Sequence, residues 1–205
     1  MVPYVRKSFA KHYKDGLKYI SCIEGEDIDY EIENMITNAA DYSITDPEWQ
    51  AYDFSAVEYA LDMTTKEIHQ AVEGLYHNLN TLQSRSGNQL PFTSINYGTC
   101  TLKEGRMITK ALLDVSIEGL GKLHKTSIFP CGIFQYMKGV NDKPGTPNYD
   151  LYRLALESTS KRLYPNYANV DWSNNAGYDR NDPATYFSTM GCRTANGADI
   201  NAEPG

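Results

Sequence analysis

The sequence is poor in the features that mark several common classes of protein. It has no run of 18 apolar residues, so nothing in it predicts a membrane-spanning helix. Its 19 Lys and Arg residues are outnumbered by 26 Asp and Glu residues, and the net charge of −7 disfavours a general nucleic-acid binder. Residues 1–7 lack the apolar core of a signal peptide. We therefore expect a cytoplasmic protein with no membrane or nucleic-acid partner.

Cysteine and histidine are too few and too scattered to predict a metal centre. The chain has four of each among its 205 residues, with no C-x-x-C pair and no H-E-x-x-H run. The two common phosphate-binding loops, G-x-x-x-x-G-K-[ST] and G-x-G-x-x-G, are also missing. We expect no metal ligands in this chain. The cysteines are Cys22, Cys100, Cys131 and Cys192.

Residues 5–20 predict an amphipathic helix, because apolar side chains recur there at helical spacing. The lysines on the opposite side form either a solvated surface or a site for an anion, such as a nucleotide phosphate at an interface. The apolar side is made by Val5, Phe9, Tyr13 and Ile20, and the basic side by Lys7, Lys11, Lys14 and Lys18.

Residues 24–62 carry twelve acidic residues and no Lys or Arg. Apolar residues still recur among them, which predicts an acidic amphipathic helix rather than a disordered tail, followed by a turn at Asp46-Pro47. This negative face could pair with the lysines inside the chain or form a subunit contact. Further on, Thr64 with Glu67 three residues later predicts a helix start, and that helix would run to about residue 82.

After residue 84 the pattern alternates between strands and helices. Strands are expected at 89–97, 127–137 and 168–172, and helices at 104–120 and 148–163. Crossovers of this length imply a parallel sheet in an α/β fold. Residues 173–205 have little apolar periodicity, and a compact domain rarely ends in so long a tail. We expect this end to be either disordered or cut short, and favour the second.

Several runs together resemble the anaerobic (class III) ribonucleoside-triphosphate reductases, which are glycyl-radical enzymes. The strongest are SRSGNQLPFTSINYGT at 84–99 and MGCRT at 190–194. Five shorter matches lie between them, and the likeness covers nearly the whole chain, weakest at 21–80. The shorter runs are EGR at 104–106, IFP at 128–130, GVN at 139–141, PNYDL at 147–151 and KRLYPN at 161–166.

The resemblance implies a fold, a reaction and a radical carrier. The fold is a ten-stranded α/β barrel, with residues 1–83 a helical region bearing candidate dimer and effector contacts. Residues 84–205 would form the first half-barrel and end in the finger loop. The reaction reduces ribonucleoside triphosphates to deoxyribonucleoside triphosphates. Cys192 matches the cysteine that becomes a thiyl radical and abstracts the 3′-hydrogen of the ribose. Gly191 beside it permits a tight loop tip.

The other residues suggested by the resemblance are binding residues. Ser86, Asn88 and Arg193 are candidates for substrate contact, although the first two also suit a turn and Arg193 could simply anchor the loop. Effector phosphates would meet the basic helix face of a dimer. Its candidate contacts are Arg6, Lys7, Lys11 and Lys14.

The resemblance also names parts that this sequence does not contain. They are the second half-barrel, the partner cysteine of the first strand, a four-cysteine zinc site and the R-V-x-G-Y type run that carries the glycyl radical. In the family an S-adenosylmethionine iron-sulfur activase makes that radical, ATP or deoxynucleotides act as effectors, and formate or a thiol is the reductant. We expect a fragment that is inactive alone and pairs with the missing C-terminal half. The alternative is a non-catalytic remnant or a nucleotide-binding partner; other glycyl-radical enzymes carry adjacent paired cysteines and fit less well.

Overall fold

The computed structural model describes residues 1–23, 25–81, 90, 92–172, 179–182, 185–186, 188–190 and 194–196. The chain divides into two compact units. The first contains residues 1–72 and 102–111, and the second contains residues 73–101 and the chain from Leu112 onward.

The first unit opens with α1 (Val2–Tyr19), which is the helix expected at 5–20. Val5, Phe9 and Tyr13 are buried, as the periodicity predicts. The assignment of Ile20 to the apolar side is wrong: it caps the end of the helix and is 48% exposed. Leu17, one turn after Tyr13, is fully buried in its place.

The acidic stretch forms several short elements rather than one long helix. A 3-10 turn (Gly25–Asp27) leads to α2 (Tyr30–Thr37), which Asp29 caps by accepting a hydrogen bond from the Glu31 N–H at 2.8 Å. α3 (Pro47–Tyr52) begins at the proline of the expected turn. Buried side chains of α1, α2 and α3 form one core.

Trp49 of α3 lies at the centre of this core. Its ring meets Phe9 edge-on with centroids 5.5 Å apart and Tyr13 with centroids 4.8 Å apart. Both polar groups are satisfied, because the Tyr13 hydroxyl donates to the Trp49 carbonyl (3.1 Å) and Trp49 Nε1 donates to the Ser43 carbonyl (3.0 Å). A fully buried tryptophan is tolerated here because its N–H has a partner.

The helix expected to begin at Thr64 begins ten residues earlier. α4 runs without a break from Phe54 to Thr81. Thr64 is fully buried inside it and caps nothing, and Thr65 donates to the Leu61 carbonyl one turn back (2.7 Å). The Thr-x-x-Glu pattern therefore stands in a helix interior, where threonine can bond the preceding turn.

The second unit contains the parallel sheet that the alternation predicts. β1 (Ser94–Tyr97), β2 (Cys131–Tyr136) and β3 (Asn166–Asn169) lie in the order β1-β2-β3, with both pairs parallel. The connecting helices are α5 (Lys103–Glu118) and α6 (Tyr149–Arg162). The observed strands are shorter than expected, and β3 begins two residues before the expected start at 168, but the parallel direction of the sheet is confirmed. The fold is α/β.

Helices cover one face of this sheet. Phe134 of β2 is fully buried in a cluster with Leu113 of α5 and with Leu151 and Ala155 of α6. Tyr97 of β1, which pairs with Phe134, packs against the same cluster. Side chains alternate between the faces of a strand, so Asn96 and Ile133 lie on the opposite face of the sheet.

Candidate functional site

Two buried asparagines hold the carboxyl ends of β1 and β2. Asn141 Nδ2 donates to the carbonyls of Gly98 (3.2 Å) and Gln135 (2.9 Å). Asn148 Nδ2 donates to the carbonyls of Gly98 (3.0 Å) and Cys100 (2.9 Å). Both side chains are fully buried, so these bonds are shielded from water. The edge where open parallel sheets bind ligands is thus held by side-chain hydrogen bonds.

A later segment of the chain packs at the same edge, next to β2 and β3. Tyr186 is buried against Met137 and Val170, the residues that directly follow those two strands. Arg180 forms an ion pair with Asp171 at 3.2 Å. This segment comes shortly before the MGCRT run in the sequence.

Two short strands carry the MGCRT run. β4 (Ser188–Met190) pairs antiparallel with β5 (Thr194–Asn196), and Met190 lies opposite Thr194. Asn96 Nδ2 of β1 donates to the Thr189 carbonyl of β4 at 3.1 Å. Because Asn96 projects from the face of the sheet opposite to the one that packs on α5 and α6, this hairpin contacts that opposite face.

The predicted catalytic and substrate-binding residues fall outside the described residues. Cys192 belongs to the three residues that join β4 to β5. Ser86, Asn88 and Arg193 also lie outside the described residues. Their roles stay predictions.

The predicted effector residues are all described, and they separate into two groups. Lys7, Lys11 and Lys14 are exposed along one side of α1. Glu67 of α4 lies beside this side: it accepts a hydrogen bond from Ser8 Oγ (2.5 Å), and its Oε2 lies 2.8 Å from His12 Nε2. These hydrogen bonds lower the pKa of Glu67, so a carboxylate stands next to the lysines.

Arg6 differs from the three lysines because its guanidinium group binds other residues of the first unit. Its Nε donates to Glu104 Oε1 at 2.8 Å, and its Nη1 donates to the Ala40 carbonyl at 3.0 Å. Glu104 is fully buried and also accepts from the Ile44 N–H and from Ser43 Oγ, both at 3.2 Å. Burial raises the pKa of Glu104, but the bonds from Arg6 and the backbone outweigh it and hold that pKa below its usual value.

Sequence reasoning missed two residues of this arrangement. Asn96 stands inside the SINYGT run, but as a strand residue it carried no pattern that separates a hairpin contact from an ordinary sheet position. Glu104 begins a predicted helix, where an acidic residue usually favours the helix N-terminus and stays in solvent. Only the spatial approach of α1 reveals its partner.

Two features are absent from the described part of the chain. No group of three or more His, Cys, Asp or Glu in the described part of the chain could hold a metal ion. No helix in those ranges combines the length and apolar character that a bilayer crossing requires.

Comparison with known proteins gives one consistent result. The sequence model of the anaerobic ribonucleoside-triphosphate reductase family matches residues 1–203. An anaerobic ribonucleoside-triphosphate reductase from Escherichia coli is 39% identical over 150 residues, covering 73% of this chain and 20% of the relative. One from Haemophilus influenzae is 38% identical over 151 residues, covering 74% and 20%. One from enterobacteria phage T4 is 35% identical over 192 residues, covering 94% and 26%. The matched region thus spans about a fifth to a quarter of the length of these relatives.

Proposed function

Because the chain belongs to the anaerobic ribonucleoside-triphosphate reductase family, we propose that it supplies the radical-carrying cysteine and one wall of the substrate site of such a reductase. The reaction is the reduction of ribonucleoside triphosphates to deoxyribonucleoside triphosphates. Cys192 carries the thiyl radical, and the parallel strands β1–β3 form part of a ten-stranded α/β barrel.

The contact between β4 and the face of the sheet opposite to α5 and α6 is the observation that carries this proposal. In a barrel of parallel strands with helices outside, the uncovered face is the interior. The bond from Asn96 to the Thr189 carbonyl ties β4 to that face, three residues before Cys192. A cysteine carried by this hairpin suits a site that must exclude water, because a radical in an open site is quenched.

The glycyl radical and the reductant belong in this proposal to other parts of the reductase. When present, the glycyl radical would accept the hydrogen atom of the cysteine thiol, which would leave glycine and a thiyl radical on Cys192. Cys192 then takes the 3′-hydrogen of the ribose, while Ser86, Asn88 and Arg193 contact the substrate. The partners are the remaining half of the reductase, the S-adenosylmethionine iron-sulfur activase, and formate or a thiol.

The exposed side of α1 provides the effector site. Phosphates of ATP or a deoxynucleotide would meet Lys7, Lys11 and Lys14, which are exposed, in the assembled dimer. Arg6 is held by Glu104 and would act on this site through the position of α1 rather than as a free cation.

The catalytic proposal is tested by reconstitution under anaerobic conditions. The chain is combined with the glycyl-radical portion of a relative and its activase, and deoxynucleotide formation is measured, with the chain alone as background. Cys192→Ser should reduce product to that background, whereas Cys100→Ser, an exposed cysteine of the same unit, should keep activity. Full activity of Cys192→Ser would refute the assignment.

A further inference from the structure

Asn96 is bound on one side only. Its Nδ2 donates to the Thr189 carbonyl, but its Oδ1 is buried and receives no hydrogen bond. A buried amide oxygen that receives no hydrogen bond has lost its contact with water without compensation, which destabilises the folded chain. Apolar residues would fill this strand position without that cost, so the amide is not explained by the stability of the sheet.

The hairpin that Asn96 contacts needs an external attachment. β4 and β5 are three residues long each, and they pair with one another and not with the three-stranded sheet. An isolated two-stranded hairpin is only marginally stable in water. A side-chain bond from a strand that is itself anchored in the sheet would therefore shift the balance between the docked and the detached hairpin.

We propose that Asn96 is a positioning residue that docks the β4–β5 hairpin on the face of the sheet opposite to α5 and α6, through its bond to the Thr189 carbonyl. The consequence for Cys192, that its sulfur is presented at a fixed place, rests on the function proposed above. Asn96 itself touches neither the reacting sulfur nor the ribose in this account.

Amide hydrogen exchange of the chain, resolved by peptide, tests the docking. Asn96→Asp keeps the shape but replaces the donor by an oxygen that repels the carbonyl. Exchange in the peptide containing Ser188–Met190 should rise about two- to tenfold, the effect of losing one ordinary hydrogen bond. Exchange in β2 should not change. Asn166→Asp, the same exchange of side chain at an exposed position of β3, should leave both peptides as in the wild type.

A second readout separates positioning from general loosening of the unit. The rate of Cys192 alkylation by iodoacetamide should rise with hairpin exchange, while the rate at Cys131, which is buried in β2, stays constant. If Asn96→Asp folds poorly, Asn96→Ala serves instead, because it removes the donor together with the unpartnered oxygen and introduces no charge.

Two results would overturn the proposal. One is hairpin exchange that equals wild type in both variants, and the other is exchange that rises by the same factor in β2. Neither readout uses nucleotide or radical. A negative docking result therefore says nothing about the outcome of the Cys192→Ser reconstitution experiment. A failure of that reconstitution, such as an inactive Cys100→Ser control, would likewise leave the docking result unchanged.

Discussion

At the scale of single residues, Arg6 and Glu104 form a buried ion pair inside the first unit. Glu104 is fully buried and Arg6 largely so, and their bond joins α1 to the start of α5. Glu104 also fixes the backbone at Ile44. Removing one partner of such a pair leaves the other charge buried without a counter-charge. The resulting loss of stability is larger than the net stabilisation that the intact pair provides.

Glu104→Gln should lower the free energy of unfolding of the first unit by about 1.5–3 kcal/mol, the range for hydrogen bonds to charged groups. Fluorescence of Trp49, which is buried in this unit, reports the transition in urea. Glu33→Gln, an exposed acid on α2, is the control and should change it by less than about 0.5 kcal/mol. Equal stability of Glu104→Gln and the control would contradict this.

The same pair gives the first unit a defined response to acid. The pKa of Glu104 in the folded chain lies below its usual value, so its carboxylate contributes stability at neutral pH. That contribution should decline as the pH falls below about 4.3, the usual glutamate pKa, and vanish below the folded pKa. Urea midpoints measured from pH 6 to pH 3 should therefore fall less steeply in Glu104→Gln than in the wild type. Parallel curves would contradict the assignment.

At the scale of elements, the packing of α1 on α4 depends on a glycine. A Cβ placed on Gly16 would lie 3.0 Å from Ala56 Cα and 3.2 Å from its Cβ, atoms that cannot turn aside. Gly74 of α4 is also helical, but a Cβ there would meet nothing within 4 Å. An alanine at Gly16 therefore changes both the helix propensity and the contact with Ala56, whereas an alanine at Gly74 changes the helix propensity alone.

Gly16→Ala should destabilise the first unit by about 1–2 kcal/mol, because overpacking exceeds the roughly 1 kcal/mol that alanine gains in a helix. Gly74→Ala should stabilise by up to about 1 kcal/mol. Urea unfolding followed by circular dichroism and by Trp49 fluorescence measures both. A stabilising Gly16→Ala would show that the two helices separate easily.

The exposed side of α1 is tested by nucleotide affinity. Replacing Lys7, Lys11 and Lys14 together by Gln should weaken effector binding by the assembled reductase at least about tenfold, since one charge-assisted hydrogen bond is worth about 1.5–3 kcal/mol. Isothermal titration with dATP measures this. A triple Gln variant at other exposed lysines is the control and should bind normally; its positions are Lys122, Lys125 and Lys143. An equal loss of dATP affinity in both variants would contradict the assignment, because it would show that the total charge of the protein matters and not these three positions.

The sequence predicts elements well where periodicity is strong and poorly where the deciding contacts are distant. The parallel strands follow from alternation with helices, and α1 from its apolar spacing. The predicted helix start at Thr64 is wrong because a Thr-x-x-Glu sequence in the interior of a helix is identical to one at a helix N-terminus. β4 and β5 were missed because three-residue strands show no alternation, although Gly191 in a short connection is a weak hairpin signal.

At the scale of the whole molecule, family membership and sheet geometry support the same account by independent routes. The match to the reductase family extends over residues 1–203. The geometry adds that the MGCRT hairpin contacts the face of the sheet opposite to its helices, which motifs could not establish. Hydrogen bonds among distant residues, such as Asn96 to the Thr189 carbonyl, arise only in the folded chain.

The central claim is that Cys192 abstracts the 3′-hydrogen of the ribose. The most direct measurement is release of tritium to water from a 3′-tritiated ribonucleoside triphosphate, with the chain reconstituted anaerobically with the glycyl-radical portion and activase. We expect release with the wild type and with Cys100→Ser, and background release with Cys192→Ser. Tritium release that persists in Cys192→Ser would contradict the account.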